Sequence, residues 1–338
     1  MKSKLIDILK VAVPLGIGVW LVFYFYNALA PAQRDQLFTA FRQANLWWLL
    51  LASFVGWLAH ASRAWRWRYL LEPLGYEPGF WNCYHAVMNG YFMNMFIQRA
   101  GEASRAVSLY RTDKVPFEKG FGTILAERVV DTAMLGLLGV ITILFQLDKI
   151  DLFKVRIAAY RATQDPAQAS GFPWFTVVLL ALAAIALVGA YLIFTRPALR
   201  ARFMDLMRGF GEGLRAVLST KRKGAFLAHT LFIWVAYLGM FKLGFYCLPT
   251  LGDVPFAGIL AGFIAGAIGI VLVQGGIGVY PALVALTVGM YLPASVGGEL
   301  LRPDALAMGW LLWLAQTLMI IVLGGLSLLL TALKRTQP

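Results

Sequence analysis

The sequence predicts an all-α polytopic membrane protein with six full spans and two re-entrant helix pairs, arranged as an inverted-topology repeat. Three observations carry this reading. Of the 338 residues, 60% are hydrophobic and only 14% charged, with a mean hydropathy of +0.70, whereas a soluble surface needs charged residues at about a quarter of the chain. The basic residues behind the net charge of +13 fall in links between apolar runs, which is the positive-inside bias of a membrane protein and argues against nucleic acid as the partner. Two apolar runs, 84–97 and 257–273, are shorter than the roughly 20 residues a straight span needs, and each ends in a polar or glycine-rich break.

The first expected repeat covers 1–148. Lys2, Lys4 and Lys10 precede the apolar run 11–29, so the N-terminus is assigned to the inside and the run is a retained span, since no small-residue cleavage site follows it. A short amphipathic link at 31–45 leads through Trp47 and Trp48 into a second span at 46–61. That span ends in Arg63, Arg66 and Arg68 interleaved with Trp65 and Trp67, a cationic aromatic collar expected at headgroup level. The run 80–97 enters the layer again, yet Arg99, Arg105, Arg111, Lys114 and Lys119 follow it. A re-entrant pair reconciles this apolar run with a basic exit. A full span at 121–147 closes the repeat, and an outer loop is expected at 149–173.

The second expected repeat, 174–338, opens with a span at 174–194. Eight basic residues against two acidic ones, Asp205 and Glu212, mark 196–223 as an amphipathic helix on the inner surface. A span at 226–248, a broken pair at 257–273 and 277–291, and a last span at 305–333 complete it. Lys334 and Arg335 place the C-terminus inside as well. Three crossings per repeat start the second copy from the opposite face. Non-helical breaks at membrane depth are tolerated only beside protein or a polar cavity, and secondary transporters with such repeats bind substrate at these breaks. The local echo is Phe96-Ile97-Gln98-Arg99-Ala100-Gly101 against Leu272-Val273-Gln274-Gly275-Gly276-Ile277.

Candidate chemistry concentrates in three places. The stretch 94–105 sets Asn94, Gln98, Arg99, Gly101, Glu102 and Arg105 directly after an apolar run. Glu127, Arg128 and Asp131 follow Lys119 on the next span, which puts Glu127 roughly 12 Å and Asp131 roughly 18 Å into the layer at 1.5 Å per residue. Glu127 and Asp131 share a helix face and need cationic partners, for which Arg99 or Arg105 is expected. A fixed ion-pair network and a binding site fit these charges equally well. The third place is the turn Gln274-Gly275-Gly276-Ile277-Gly278, which needs glycine for its backbone and exposes amides to an anionic headgroup. Gly258, Gly262 and Gly266 form a small-residue packing stripe, and the lone His60, His85 and His229 read as satisfied helix histidines. Cys83 and Cys247 lie in apolar runs and suggest neither a disulfide framework nor a metal site.

The ordered set Arg63-Ala64-Trp65-Arg66-Trp67, Arg99-Ala100-Gly101-Glu102-Ala103-Ser104-Arg105, Glu127-Arg128-Val129-Val130-Asp131 and Gly275-Gly276-Ile277-Gly278 resembles the flippase-like membrane domain of lysylphosphatidylglycerol synthases, including its stand-alone members. The resemblance implies a polytopic helical fold with paired re-entrant elements and a role in moving lipids between leaflets. It further implies that Arg99, Gly101, Glu102, Arg105, Glu127, Arg128 and Asp131 line a central cavity. The chain departs from the family pattern at Gln98 and Gln274, where proline is usual, and at Tyr280-Pro281, where an acidic residue is usual. No aminoacyl-transferring domain is present in these residues, so lipid aminoacylation is not expected.

The resulting expectation is a non-enzymatic translocase of a bacterial inner membrane, without cofactor, whose partner is a phospholipid or polyprenyl-linked lipid. Its binding residues would be Arg66, Asn94, Gln98, Arg99, Gly101, Glu102, Arg105, Glu127, Arg128, Asp131, Gln274, Gly275, Gly276, Gly278 and Tyr280. A proton-coupled transporter of a small polar solute, and a non-catalytic membrane partner of a cell-envelope enzyme, are the competing readings.

Overall fold

The computed structural model describes residues 16–27, 29–97, 100–163, 219–292 and 301–333, together with scattered positions from 188 to 217. Every regular element among them is helical. The first six helices are α1 (Gly16–Asn27), α2 (Pro31–Gln43), α3 (Leu46–Leu71), α4 (Phe80–Phe96), α5 (Ala100–Asp113) and α6 (Phe117–Leu144). They are followed by α7 (Ile150–Thr163), α8 (Lys223–Phe245), α9 (Phe256–Leu272), α10 (Val279–Gly289) and α11 (Pro303–Leu333).

Among the described residues, three segments are long and apolar enough to cross a membrane, namely Phe117–Val155, Lys223–Phe245 and Pro303–Leu333. The link expected at 31–45 is itself helical: α2 meets α3 at a 72° bend, and the two together make a fourth such element. Asn45 sits at the bend and accepts a hydrogen bond from the Trp47 N–H at 3.1 Å, satisfying one orphan donor at the start of α3. The outer loop expected at 149–173 is helical over α7. The span expected at 174–194 and most of the surface helix expected at 196–223 lie outside the described residues, as do Gln98 and Arg99.

α3 runs the length of α8, and Gly56 on α3 lets the Met240 side chain of α8 approach closely. The glycine stripe packs as expected. A Cβ at Gly258 would meet Tyr291, one at Gly262 would meet Val288 and Phe241, and one at Gly266 would meet Tyr280, all at 2.7–3.4 Å. α11 is wedged against α2, α4 and α10, with Gly309 on Pro281 and Gly324 on Phe92. The largest core cluster gathers Leu49, Phe241, Val284, Val288, Leu306 and Met308 from both chain halves.

The two broken pairs have matching local geometry. α4 and α9 are each 17 residues long, and each stops at an extended residue, Ile97 (φ −132°, ψ 114°) and Val273 (φ −127°, ψ 137°). In both, the capping N–H reaches back to the carbonyl four residues earlier, Met93 or Gly269. These two stops coincide in the sequence echo.

Candidate functional site

The organising feature is an ion cluster built by α3, α5 and α6. Arg63 and Arg66, one turn apart on α3, face Glu127 and Asp131, one turn apart on α6. Arg63 Nη1 lies 2.6 Å from Asp131 Oδ2, and Arg66 Nη2 lies 2.9 Å from Asp131 Oδ1 and 3.3 Å from Glu127 Oε1. Arg105 of α5 completes the inner set, with Nη2 at 2.7 Å from Glu127 Oε2. Of the two cations expected to balance the carboxylates, Arg105 does so, and Arg99 is outside the described residues. The collar expected at headgroup level is corrected for three of its members, of which Trp67 is fully buried between Arg105 and Thr123. Arg63 and Arg66 are 3% and 0% exposed and belong to this cluster, while Trp65 and Arg68 remain at the surface. The physical reason is that the carboxylates buried on α6 need cationic partners, and their charge-assisted hydrogen bonds to Arg63 and Arg66 replace part of the hydration these arginines give up.

Neutral groups add further contacts, while the Nε atoms of Arg63, Arg66 and Arg105 and the Nη1 of Arg105 are buried without a hydrogen-bond partner. Arg66 Nη1 donates to Thr230 Oγ1 of α8 at 3.0 Å, and its guanidinium stands over the Phe226 ring at 5.2 Å. Arg63 Nη2 donates to Tyr237 Oη at 3.5 Å, and Tyr237 Oη lies 3.4 Å from Tyr91 Oη. The Arg105 guanidinium stacks over Trp67 at 4.3 Å, and Trp67 Nε1 donates to Thr123 at 2.9 Å. Glu127, Arg66 and Arg105 are thus sealed among helices and act as a lock.

The outer part of the cluster behaves differently. Arg128 lies 37% exposed and is only loosely held, with Nε 3.3 Å from Glu102 Oε1 and Nη1 3.8 Å from Asp131 Oδ2. Among the described residues the cluster contains Arg63, Arg66, Arg105 and Arg128 against Glu102, Glu127 and Asp131, four positive charges against three negative. The surplus positive charge therefore falls on the group that is least enclosed.

That group opens on a cavity of about 360 Å³. Its polar end is Arg63, Tyr91, Arg128, Asp131 and Tyr237, and its remaining wall is apolar, with Met240, Phe241, Phe263, Ile270 and Val271 from α8 and α9. All its ionised residues come from the first half of the chain; the second half supplies aromatic, aliphatic and neutral polar groups, with Tyr280 and Gln316 among them. Such a cavity has the polarity profile of an amphiphile: charge at one end, hydrocarbon along the rest.

A family model for the lysylphosphatidylglycerol synthase TM region matches residues 11–301. The chain belongs to this family. A UPF0104 membrane protein of Methanocaldococcus jannaschii is 30% identical over 103 residues, a stretch that covers 30% of this chain and 31% of that protein. No solved structure matches.

Within this lysylphosphatidylglycerol synthase TM region fold, the described residues expected at the site divide into four groups. Arg128, Asp131 and Tyr280 line the cavity, and Glu102 holds Arg128 from behind. Arg66, Arg105 and Glu127 are the buried lock. Asn94 and Gly101 have a structural task instead: Asn94 Oδ1 accepts the Gly101 N–H at 2.7 Å and so caps the start of α5, while Gly101 lies so close to Gly90 that a Cβ would sit 2.3 Å from its carbonyl oxygen. Gly275, Gly276 and Gly278 form the turn, with φ of 65°, 71° and 72°. Trp313 Nε1 donates to the Gly275 carbonyl at 2.6 Å, the Gly276 N–H is taken by Val273, and Gly278 abuts Gly18 of α1. None of these three glycines lines the cavity. Gln274 lies within this turn.

Sequence reasoning missed Tyr91, Thr230, Trp234 and Tyr237, and it put Arg63 in the wrong environment. Arginines one turn apart opposite carboxylates one turn apart was the available signal for Arg63. His60 also departs from expectation. It is 1% exposed with neither ring nitrogen hydrogen-bonded, and its ring lies 4.4 Å from that of Tyr91. His85 and His229 do have partners, Ser327 at 3.0 Å and Ser62 at 2.8 Å.

Proposed function

We propose that this protein is a translocase, not an enzyme, that carries a phospholipid or lipid-linked anionic headgroup between the leaflets of a bacterial inner membrane. The observation that carries the reading is the coincidence of Arg128, loosely paired and bearing the surplus charge, with a largely apolar wall in one cavity. Arg128 and Arg63 receive the phosphate, since guanidinium groups match its oxygens in pairs. Asp131 and Glu102 keep the arginines oriented and meet any cationic part of the headgroup. The acyl or prenyl chain follows Met240, Phe263 and Ile270.

Membership of a family described by a lipid synthase's membrane region supports lipid as the substrate class. The matched stops of α4 and α9 support an inverted-topology repeat whose broken pairs are re-entrant from opposite faces, which gives the cavity an approach from each leaflet. On this reading six spans cross the membrane, and both termini are cytoplasmic.

Reconstitution into vesicles tests the proposal. Labelled anionic phospholipids or polyprenyl phosphates should equilibrate between leaflets only when the protein is present, and Arg128→Gln should slow this at least tenfold while leaving the protein folded. Absence of protein-dependent movement of every lipid offered, in a folded preparation, refutes it.

A further inference from the structure

A second polar pocket lies where the last turns of α3 and the loop after it meet the residue before α8. It measures about 110 Å³, and more than half of its wall is polar. Four charged side chains line it, Arg68, Glu72, Glu77 and Arg222, together with the aromatic residues Trp65, Tyr69 and Tyr76. None of them belongs to the ion cluster or to the first cavity. Because α8 is apolar enough to span from Lys223 onward, the pocket sits at the boundary between bilayer and water. The exposed Trp65 and Trp81, joined through Phe80, mark the same level.

The informative feature is that opposite charges share this small pocket without neutralising one another. Among the described residues Arg68 and Glu77 have no ion pair, and Glu72 meets Arg222 only through Nε, at 3.5 Å. Arg68 is nevertheless held in place. Its Nε donates to the Pro78 carbonyl at 2.9 Å, and its guanidinium lies over the Trp65 ring at 5.0 Å. These commitments leave its two Nη groups without an acceptor among the described residues, and neither is sealed from solvent. Arg222 likewise engages Glu72 through Nε alone. Tyr69 adds a neutral donor, since Trp65 Nε1 already donates to its oxygen at 2.9 Å and the phenol proton is left over. Two guanidinium forks and a hydroxyl specify a phosphate.

The carboxylates specify the other end of the ligand. Glu77 is exposed and uncommitted, and Glu72 has a second oxygen to offer. One face of Trp65 carries Arg68, and one face of Tyr76 carries Lys119 Nζ at 5.2 Å. A quaternary ammonium needs a cage of open aromatic faces, which these rings do not provide. A primary ammonium instead donates N–H bonds to carboxylates, and two carboxylates are present.

We propose that this pocket binds a phosphoethanolamine group, with the phosphate on Arg68 and Arg222 and the primary ammonium on Glu72 and Glu77. At this level of the layer the group arrives as the head of phosphatidylethanolamine. The site stands apart from the translocation reading and does not depend on it.

Native mass spectrometry of the purified protein tests this with three lipids of matched chains: phosphatidylethanolamine, its trimethylated counterpart phosphatidylcholine, and phosphatidylglycerol. Phosphatidylethanolamine should bind about fivefold more tightly than phosphatidylcholine, the worth of an exposed ammonium on carboxylates. The two have the same net charge, so general attraction to a basic protein does not produce the difference. Combining Glu72→Gln with Glu77→Gln should erase it, and Arg68→Gln should weaken phosphatidylethanolamine and phosphatidylglycerol alike. Glu77→Gln alone, at an exposed position, should reduce the preference even if the double variant does not fold. Calorimetry with soluble phosphoethanolamine separates the two sources of the group. Binding of the soluble compound that Glu77→Gln weakens assigns the headgroup alone as sufficient, and preference among the lipids only assigns a membrane ligand; both support the site. Equal retention of phosphatidylethanolamine and phosphatidylcholine without binding of the soluble compound, or a preference that survives the Glu72 and Glu77 variants, overturns it.

Discussion

Glu127→Gln tests the division of the cluster into a lock and a site. Glu127 is 0% exposed, and its two oxygens serve two different arginines, Arg105 at 2.7 Å and Arg66 at 3.3 Å. Glutamine has the same shape but only one acceptor oxygen, so one guanidinium would face an amide NH2, donor against donor. The net charge of the cluster would also rise from +1 to +2, by the count of four arginines against the two remaining carboxylates. Breaking a buried pair from one side costs about 3–5 kcal/mol, because the orphaned charge stays in the low-dielectric interior. Reversible unfolding with a denaturing detergent in mixed micelles measures this. Adding Arg105→Met removes the orphaned charge while keeping a stem over Trp67, and should recover about 1–3 kcal/mol of the loss. Glu127→Gln within about 1 kcal/mol of the parent, or a double variant no more stable than the single, would show that the inner cluster is not a lock and that the division is wrong.

Arg128→Gln makes the opposite expectation in the same assay: a half-exposed, loosely paired arginine should cost less than about 1 kcal/mol of stability, so its effect is read in lipid movement alone. Gly101→Ala forces a methyl against the Gly90 carbonyl at 2.3 Å and the Asn94 side chain at 2.5 Å, and a loss of about 1–3 kcal/mol is expected in the unfolding midpoint. Trp313→Phe removes the 2.6 Å hydrogen bond that pins the Gly275 carbonyl. Faster amide exchange should result at 274–278, with a stability change of about 0.5–1.5 kcal/mol.

Much of the helical layout was legible because the chemistry of a bilayer is written in long runs. The run expected at 121–147 is α6 at Phe117–Leu144, and those at 226–248 and 305–333 are α8 and α11, displaced by a few residues. The breaks after Ile97 and Val273 were legible for the same reason, since an apolar run that stops short has to turn. Charge balance alone named Arg99 or Arg105 as partners for the α6 carboxylates, and Arg105 is found on Glu127. The burial of Arg63 and Arg66 was not legible, because arginines set beside Trp65 and Trp67 look the same whether the helix ends at the interface or carries on inward; only the position of α6 decides it. Thr230 and Tyr237 were out of reach altogether. They meet Arg66 and Arg63 across separations of 164 and 174 residues, and a hydroxyl in an apolar run announces nothing about its partner.

The cavity draws every ionised group from one half of the chain and most of its apolar wall from the other. On the proposed lipid reading, selectivity would therefore be factorised: changes at 63, 128 and 131 would alter which headgroup is accepted, and changes at 240, 263 and 270 would alter the chain length or branching accommodated. A lineage can retune one property while holding the other constant, and a combined library across both sets should give nearly additive changes in substrate preference.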